Sequence, residues 1–178
     1  MANPLTDQEI NNVAKKLSQL SPTGFIPYPL FVEFNRLKVT VTIEIVPLCF
    51  DSENNVNVVL YNRGPDDKWW PNMFHTPGTC LISDDIPVDD EWNLPTRAYQ
   101  RLIQGEIKDL TLIDDPIFVG NINHQVLRGP ESAHVYIQEV EYNPKLDCFY
   151  QINKLPKNCI PTQVKMIQHC AKIFSQQK

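Results

Sequence analysis

A chain of 178 residues has the length of one ordinary domain, and 42% hydrophobic with 21% charged residues is a globular composition with a sizeable core, not a disordered one. A formal net charge of −5 and a pI of about 5.3 argue against bulk binding to nucleic acid or to an anionic membrane. No apolar run approaches a membrane span, and the opening "MANPLTDQEI" lacks the basic-then-apolar pattern of a signal peptide, so a cytoplasmic protein is expected.

The first predicted element is a helix over residues 6–20. Thr6 and Glu9 have the spacing of a capping box, and Ile10, Val13, Leu17 and Leu20 fall on one face. That face is expected to lie against the domain or against a second copy of the chain. After the prolines of "SPTGFIPYP", "LFVEFNRL" reads as a short second helix. "KVTVTIEIVPLCF" and "VNVVLYNR" are rich in β-branched residues and read as two strands around the polar turn "DSENN". The loop "GPDDKWWPNM" leads to "FHTPGTCLI", read as a strand, and to the acidic loop "SDDIPVDDE". A helix with Asn93 as cap and Pro95 in its first turn carries Leu94, Ala98, Leu102 and Ile107 as a loose apolar stripe, weakened by Gly105. "TLIDDPIFVGNI", "SAHVYIQEVEY" and "CFYQINKLP" read as strands, and "PTQVKMIQHCAKIF" as a closing helix with Val164, Ile167, Ala171 and Phe174 on one face. The expected architecture is one mixed α and β domain over residues 38–178, preceded by an N-terminal helical extension over residues 1–37.

The five cysteines are odd in number, widely spaced and without C-x-x-C, which reads as reduced thiols. His75, His124, His134 and His169 show no zinc-ligand spacing. Cys80 has no adjacent base that would make it a nucleophile.

The order of these elements, with the words in them, resembles the Nudix family. Its signature is G, five residues, E, seven residues, then R-E-U-x-E-E-x-G-U with U aliphatic. "HTPGT" resembles the family's loop corner, with Gly78 as the first glycine. "AYQRLIQGEI" resembles its helix, with Arg101 as the arginine. "VVLYNR" and "FYQINKLPKNCIPTQVKMI" are similar to a common strand and to the closing strand, turn and helix. The resemblance covers roughly residues 38–174 and implies an α/β/α sandwich with a mixed sheet.

The departures bear on function. Gly78 and Arg101 stand 23 positions apart, about nine more than in the signature. Leu102 replaces the glutamate after the arginine, Gly105 the first of the glutamate pair, and Lys108 the glycine, so Glu106 alone remains of three expected metal ligands. One carboxylate holds Mg2+ weakly, because the ion wants a near-octahedral oxygen shell and gives up its waters reluctantly.

Two functions follow from the resemblance. The first is a metal-dependent pyrophosphohydrolase of a nucleoside diphosphate linked to another group, with a depleted metal site. Glu106 is then the catalytic ligand, Asp84 and Asp85 complete a shell for Mg2+ or Mn2+, and Asp89, Asp90 and Glu91 lie close in sequence. The alternative is a non-catalytic Nudix-fold protein, without metal, that binds a small nucleotide-like ligand or a protein partner. A third reading is that the N-terminal helices form a homodimer surface and the pocket is vestigial.

Further candidates carry one or two readings. Arg63 ends a strand and can meet a phosphate. Trp69 and Trp70 can stack on a base or pack the loop onto the core. His75 can act in acid–base work or make a structural hydrogen bond. Arg128 reads as a solvated turn residue, and Glu139 and Glu141 as solvent-facing acids or a base. An ion pair from Asp84 to Arg101, with Asp85 as the alternative partner, is expected as a structural brace.

Overall fold

The computed structural model describes residues 5–20, 26–85, 96–127 and 129–176. Asp89, Asp90, Glu91, Asn93, Leu94, Pro95 and Arg128 lie outside the described residues. In chain order the elements are helices α1 (Asp7–Leu17) and α2 (Tyr28–Leu37), then strands β1 (Thr40–Phe50), β2 (Val56–Val59), β3 (Tyr61–Asn62), β4 (Phe74–His75) and β5 (Gly78–Cys80). Helix α3 (Thr96–Gly105), strands β6 (Leu112–Val126), β7 (Gly129–Val140) and β8 (Phe149–Gln151), and helix α4 (Pro161–Ser175) follow.

Six strands form one mixed sheet in the order β6-β7-β1-β2-β8, with β5 also paired to β1. β1 runs parallel to β7 and antiparallel to β2 and β5. It can serve three neighbours because β5 pairs with Thr42–Glu44 and β2 with Leu48–Phe50, two halves of one edge.

Alternation along β1 builds the two outer layers. Ile43 and Ile45 are fully buried with Ala98 and Leu102 of α3. Val46 and Leu48 point the other way and are buried with Met166, Ile167, Cys170 and Phe174 of α4. The result is the expected α/β/α sandwich, with helices on both faces because both faces of the sheet are apolar. The buried stripe of α4 includes Gln163 and Met166, and the predicted Val164 is only half-buried.

Three expectations are corrected. "FHTPGTCLI" is two short strands: β4 pairs with β3, and β5 with β1. Helix α3 ends at Gly105, so Glu106 and Ile107 lie just past it, although the amides of both still bond to the Leu102 carbonyl. Helix α1 stops at Leu17 and buries no residue, with Ile10 37% and Val13 49% exposed. Its capping box is present: the Thr6 hydroxyl accepts from the Glu9 amide at 3.3 Å, and Glu9 accepts from the Thr6 amide at 2.8 Å. Local capping thus holds α1; of its predicted apolar face Ile10 and Val13 are exposed, whereas Leu17 and Leu20 are half-buried. No helix among the described residues is long and apolar enough to cross a membrane.

Candidate functional site

Gly78 sits in register opposite Glu44 on the neighbouring strand β1. A Cβ on Gly78 would lie 2.5 Å from Glu44 Oε1, so the missing side chain is the space the Glu44 carboxylate occupies. Gln163 of α4 holds this carboxylate, donating from Nε2 to Oε2 at 3.1 Å, while its own Oε1 accepts the Thr76 amide at 2.9 Å. The Thr76 hydroxyl donates to the same Glu44 oxygen at 3.4 Å. One amide side chain therefore ties the closing helix, the central strand and the Pro77–Gly78 corner together.

Glu106 reaches this corner from the end of α3. Burial pushes its carboxyl pKa above the ordinary value, against the charge of Arg63 and the Gly78 N–H that it accepts. Glu44, Glu106, Arg63, Asp67 and His75 all line one cavity of about 740 Å³, within the range of small-ligand sites.

Arg63 is drawn to Asp67, with Nη1 2.9 Å from Oδ2. Asp67 Oδ1 also accepts the amides of Trp69 and Trp70 at 2.9 and 2.8 Å. Burial opposes the Asp67 anion, but these two amides and Arg63 outweigh it and keep the pKa below the usual carboxylate value. His75 is buried, and its Nδ1 lies 2.7 Å from the Thr76 carbonyl, which can only accept; the neutral ring therefore carries its proton on Nδ1 and offers Nε2 as an acceptor. Burial first, and then Arg63, push its pKa down to about 4.

The other predicted residues lie elsewhere. The Trp69 indole N–H donates to the Tyr28 hydroxyl at 2.9 Å, and Trp70 borders a second, small cavity. The brace closes on Asp85 in place of Asp84. Arg101 donates Nη2 to Asp85 Oδ2 at 2.5 Å and Nε to Oδ1 at 3.3 Å, while Asp84 offers its backbone carbonyl to Arg97 at 2.8 Å. The turn geometry decides between neighbours: the Ile82 amide donates to Asp85 Oδ2 at 2.9 Å, which turns that side chain inward to 1% exposure.

These contacts test whether a divalent ion fits. Both oxygens of Asp85 are engaged by Arg101 and the Ile82 amide, Glu106 accepts the Gly78 N–H, and Asp84 and Asp85 do not line the cavity. Among the described residues there is no group of three or more His, Cys, Asp or Glu placed to hold a metal. Among the described residues the donor set does not fit a Mg2+ shell, and the Nudix-type helix is depleted of ligands, as its sequence indicates.

Glu44 and Thr42 were not singled out in the sequence. Thr42 lines the cavity at 1% exposure with its hydroxyl unpartnered. An unsatisfied buried hydroxyl costs about 1–3 kcal/mol. Thr42→Val, nearly the same shape, is therefore expected to raise stability by about 1 kcal/mol, read as a higher urea midpoint with unchanged slope; a loss of stability would mean that the hydroxyl is satisfied.

No family model and no curated protein matches this sequence. Solved structures do match in fold. The NUDIX domain of Shewanella oneidensis NrtR, in complex with ADP ribose, aligns at 12% identity over 90% of this chain and 97% of that one, with a TM-score of 0.54. The C-terminal domain of mouse MUTYH, in complex with human PCNA, aligns at 12% identity over 78% and 91%, with a TM-score of 0.54. C. elegans Ap4A hydrolase aligns at 15% identity over 79% and 100%, with a TM-score of 0.50. The fold is therefore of the Nudix type, and at these identities the likeness concerns the fold alone.

Proposed function

We propose that this chain is a Nudix-fold ligand-binding protein without metal-dependent hydrolysis. The observation that carries this reading is the fate of the carboxylates: Asp85 braces Arg101, Glu106 bonds the corner, and a cavity of about 740 Å³ remains beside them. An enzyme of this fold would need its acids free to gather an ion against a diphosphate. The NrtR domain is complexed with ADP ribose, which supports small-ligand binding by the fold and leaves the ligand of this chain to its own side chains.

The test is calorimetric titration of the protein with Mg2+ and Mn2+, beside a phosphate-release assay on nucleoside diphosphates linked to sugars. We expect no ion binding tighter than about millimolar, since a lone carboxylate leaves the ion most of its water, and no turnover above background. Metal-dependent turnover that Glu106→Gln abolishes would overturn the proposal in favour of the hydrolase.

A further inference from the structure

The cavity is built for positive charge. Among the described residues that line it, the carboxylates of Glu44, Asp67 and Glu106 face a single guanidinium, Arg63, whose Nη1 is bonded to Asp67. The Gly78 N–H, a donor that an incoming anion would need, is bonded to Glu106. Gly105 also lines the cavity, so the helix end turned toward it is the C-terminus of α3, the negative end of its dipole. Nε2 of neutral His75 adds an acceptor, and the unpartnered hydroxyl of Thr42, buried at 1% exposure, can accept as well as donate. A diphosphate entering here would meet like charge from three directions.

Part of the lining is aromatic. Tyr28 and Phe31 are stacked, with ring centroids 6.3 Å apart, and both line the cavity. The protein already seats an ammonium on this side: Lys68 Nζ lies 5.4 Å from the Tyr28 ring centroid and 5.1 Å from that of Trp69.

We propose that the cavity takes an organic cation, with an ammonium or guanidinium head against Glu44 and Glu106 and an apolar body along Tyr28 and Phe31. This assignment rests on the reading of the cavity as a ligand site and names the chemical class that the site accepts. Carboxylates in a cavity that also holds the Tyr28 and Phe31 rings favour such a ligand twice, through charge-assisted hydrogen bonds to the head and through burial of the body.

The test uses the full chain and probes of one shape and three charges, followed by calorimetry and thermal shift: tryptamine as the cation, indole-3-acetamide as the neutral form and indole-3-acetate as the anion. ADP-ribose is added with and without Mg2+. Tryptamine is expected to bind roughly tenfold or more tighter than the acetamide, as one charge-assisted hydrogen bond warrants, with no detectable binding of the acetate or ADP-ribose. Glu44→Gln and Glu106→Gln are each expected to shrink the ratio of cation to neutral affinity toward unity. The ratio is the readout because a merely structural role would lower both affinities together. Should Glu44→Gln fail to fold, Glu106→Gln decides, since Glu106 lies past the helix end and outside the regular helix. A ratio untouched by Glu106→Gln would overturn the placement of the head group. Acetate, or ADP-ribose with or without Mg2+, binding more tightly than tryptamine would overturn the charge assignment while leaving a ligand site. Failure of every probe to bind would overturn the ligand-site reading as well.

Discussion

Gly129→Ala is expected to destabilise the protein by about 4 kcal/mol, the sum of a strained backbone and a steric clash. Gly129 opens β7 with a φ of +138°, a conformation that side-chain-bearing residues rarely adopt. A Cβ there would lie 2.2 Å from the Asn35 carbonyl oxygen and 2.7 Å from its carbon. Those are backbone atoms of α2, and they cannot swing aside as a side-chain end can. Asn35 is 2% exposed, its side-chain oxygen accepts the Thr40 hydroxyl, and the next turn is closed by the Lys38 amide bonding to Phe34. Relief would require moving α2 off the sheet. The thermal midpoint should fall by roughly 10 °C for a domain of this size. Gly105→Ala is the control: nothing lies within 4 Å of its Cβ position, and alanine there should be neutral or stabilising by up to about 1 kcal/mol. Urea unfolding of both variants checks the pair, and Gly129→Ala within about 1 kcal/mol of the parent would mean that strain and clash are both relieved cheaply. We retain residues 1–37 and 38–178 as the proposed division of the chain, with α2 as the part of the extension anchored to the sheet.

What was legible in the sequence is what local spacing encodes. The Thr6–Glu9 capping box lies within one turn and forms as read. The alternation of "KVTVTIEIVPLCF" gave β1, because each buried position there serves a helix on one face or the other. β6 shows the limit. Its predicted strand ended near Ile122, but pairing with β7 continues to Val126 opposite Gly129. The added residues, Asn123 to Val126, alternate in burial, but the half-buried positions are His124 and Val126, so the pattern carries little hydrophobic contrast in the sequence. At the other end Pro116 and the left-handed Asp114 interrupt its ladder, and the Gln138 amide donates to the freed carbonyls of Ile113 and Asp114 at 2.9 and 3.2 Å. The site was legible only in part, for the same reason. Gly78, Arg63, His75 and Glu106 are marked by the corner, a strand end and a helix end. Glu44 reads as one polar position in an alternating strand, and its meaning comes from Gly78 on a neighbouring strand and Gln163 on a distant helix. Asp84 and Asp85 are adjacent, and only the three-dimensional turn selects which one meets Arg101.

Acid should destabilise the protein through His75, by up to roughly 3 kcal/mol between the unfolded and folded pKa values, at 1.36 kcal/mol per pKa unit. His75 titrates at about 4 in the folded protein, against an ordinary value of 6.5. Burial is the main cause, and Arg63 adds repulsion, against the hydrogen bond to Thr76 and the charge of Asp67. Above 6.5 the ring is neutral in both states and the full contribution to stability is present. As pH falls below that value, the unfolded chain takes up a proton that the folded one refuses, and stability is lost. The loss levels off below about 4, where the folded ring also protonates. Glu106, whose pKa burial raises, works in the opposite direction, since protonation of such a carboxyl favours the folded state. The parent curve alone therefore mixes the two effects. His75→Asn separates them: the amide nitrogen can replace Nδ1 as donor to the Thr76 carbonyl, cannot titrate, and leaves Glu106 in place. Urea unfolding at a series of pH values should give a parent that loses stability relative to His75→Asn as pH drops from 6.5 toward 4, with the difference constant above 6.5. Parallel curves for the two proteins across that window would mean that His75 is solvated and titrates normally, and the cavity would then have an additional positive charge in mild acid.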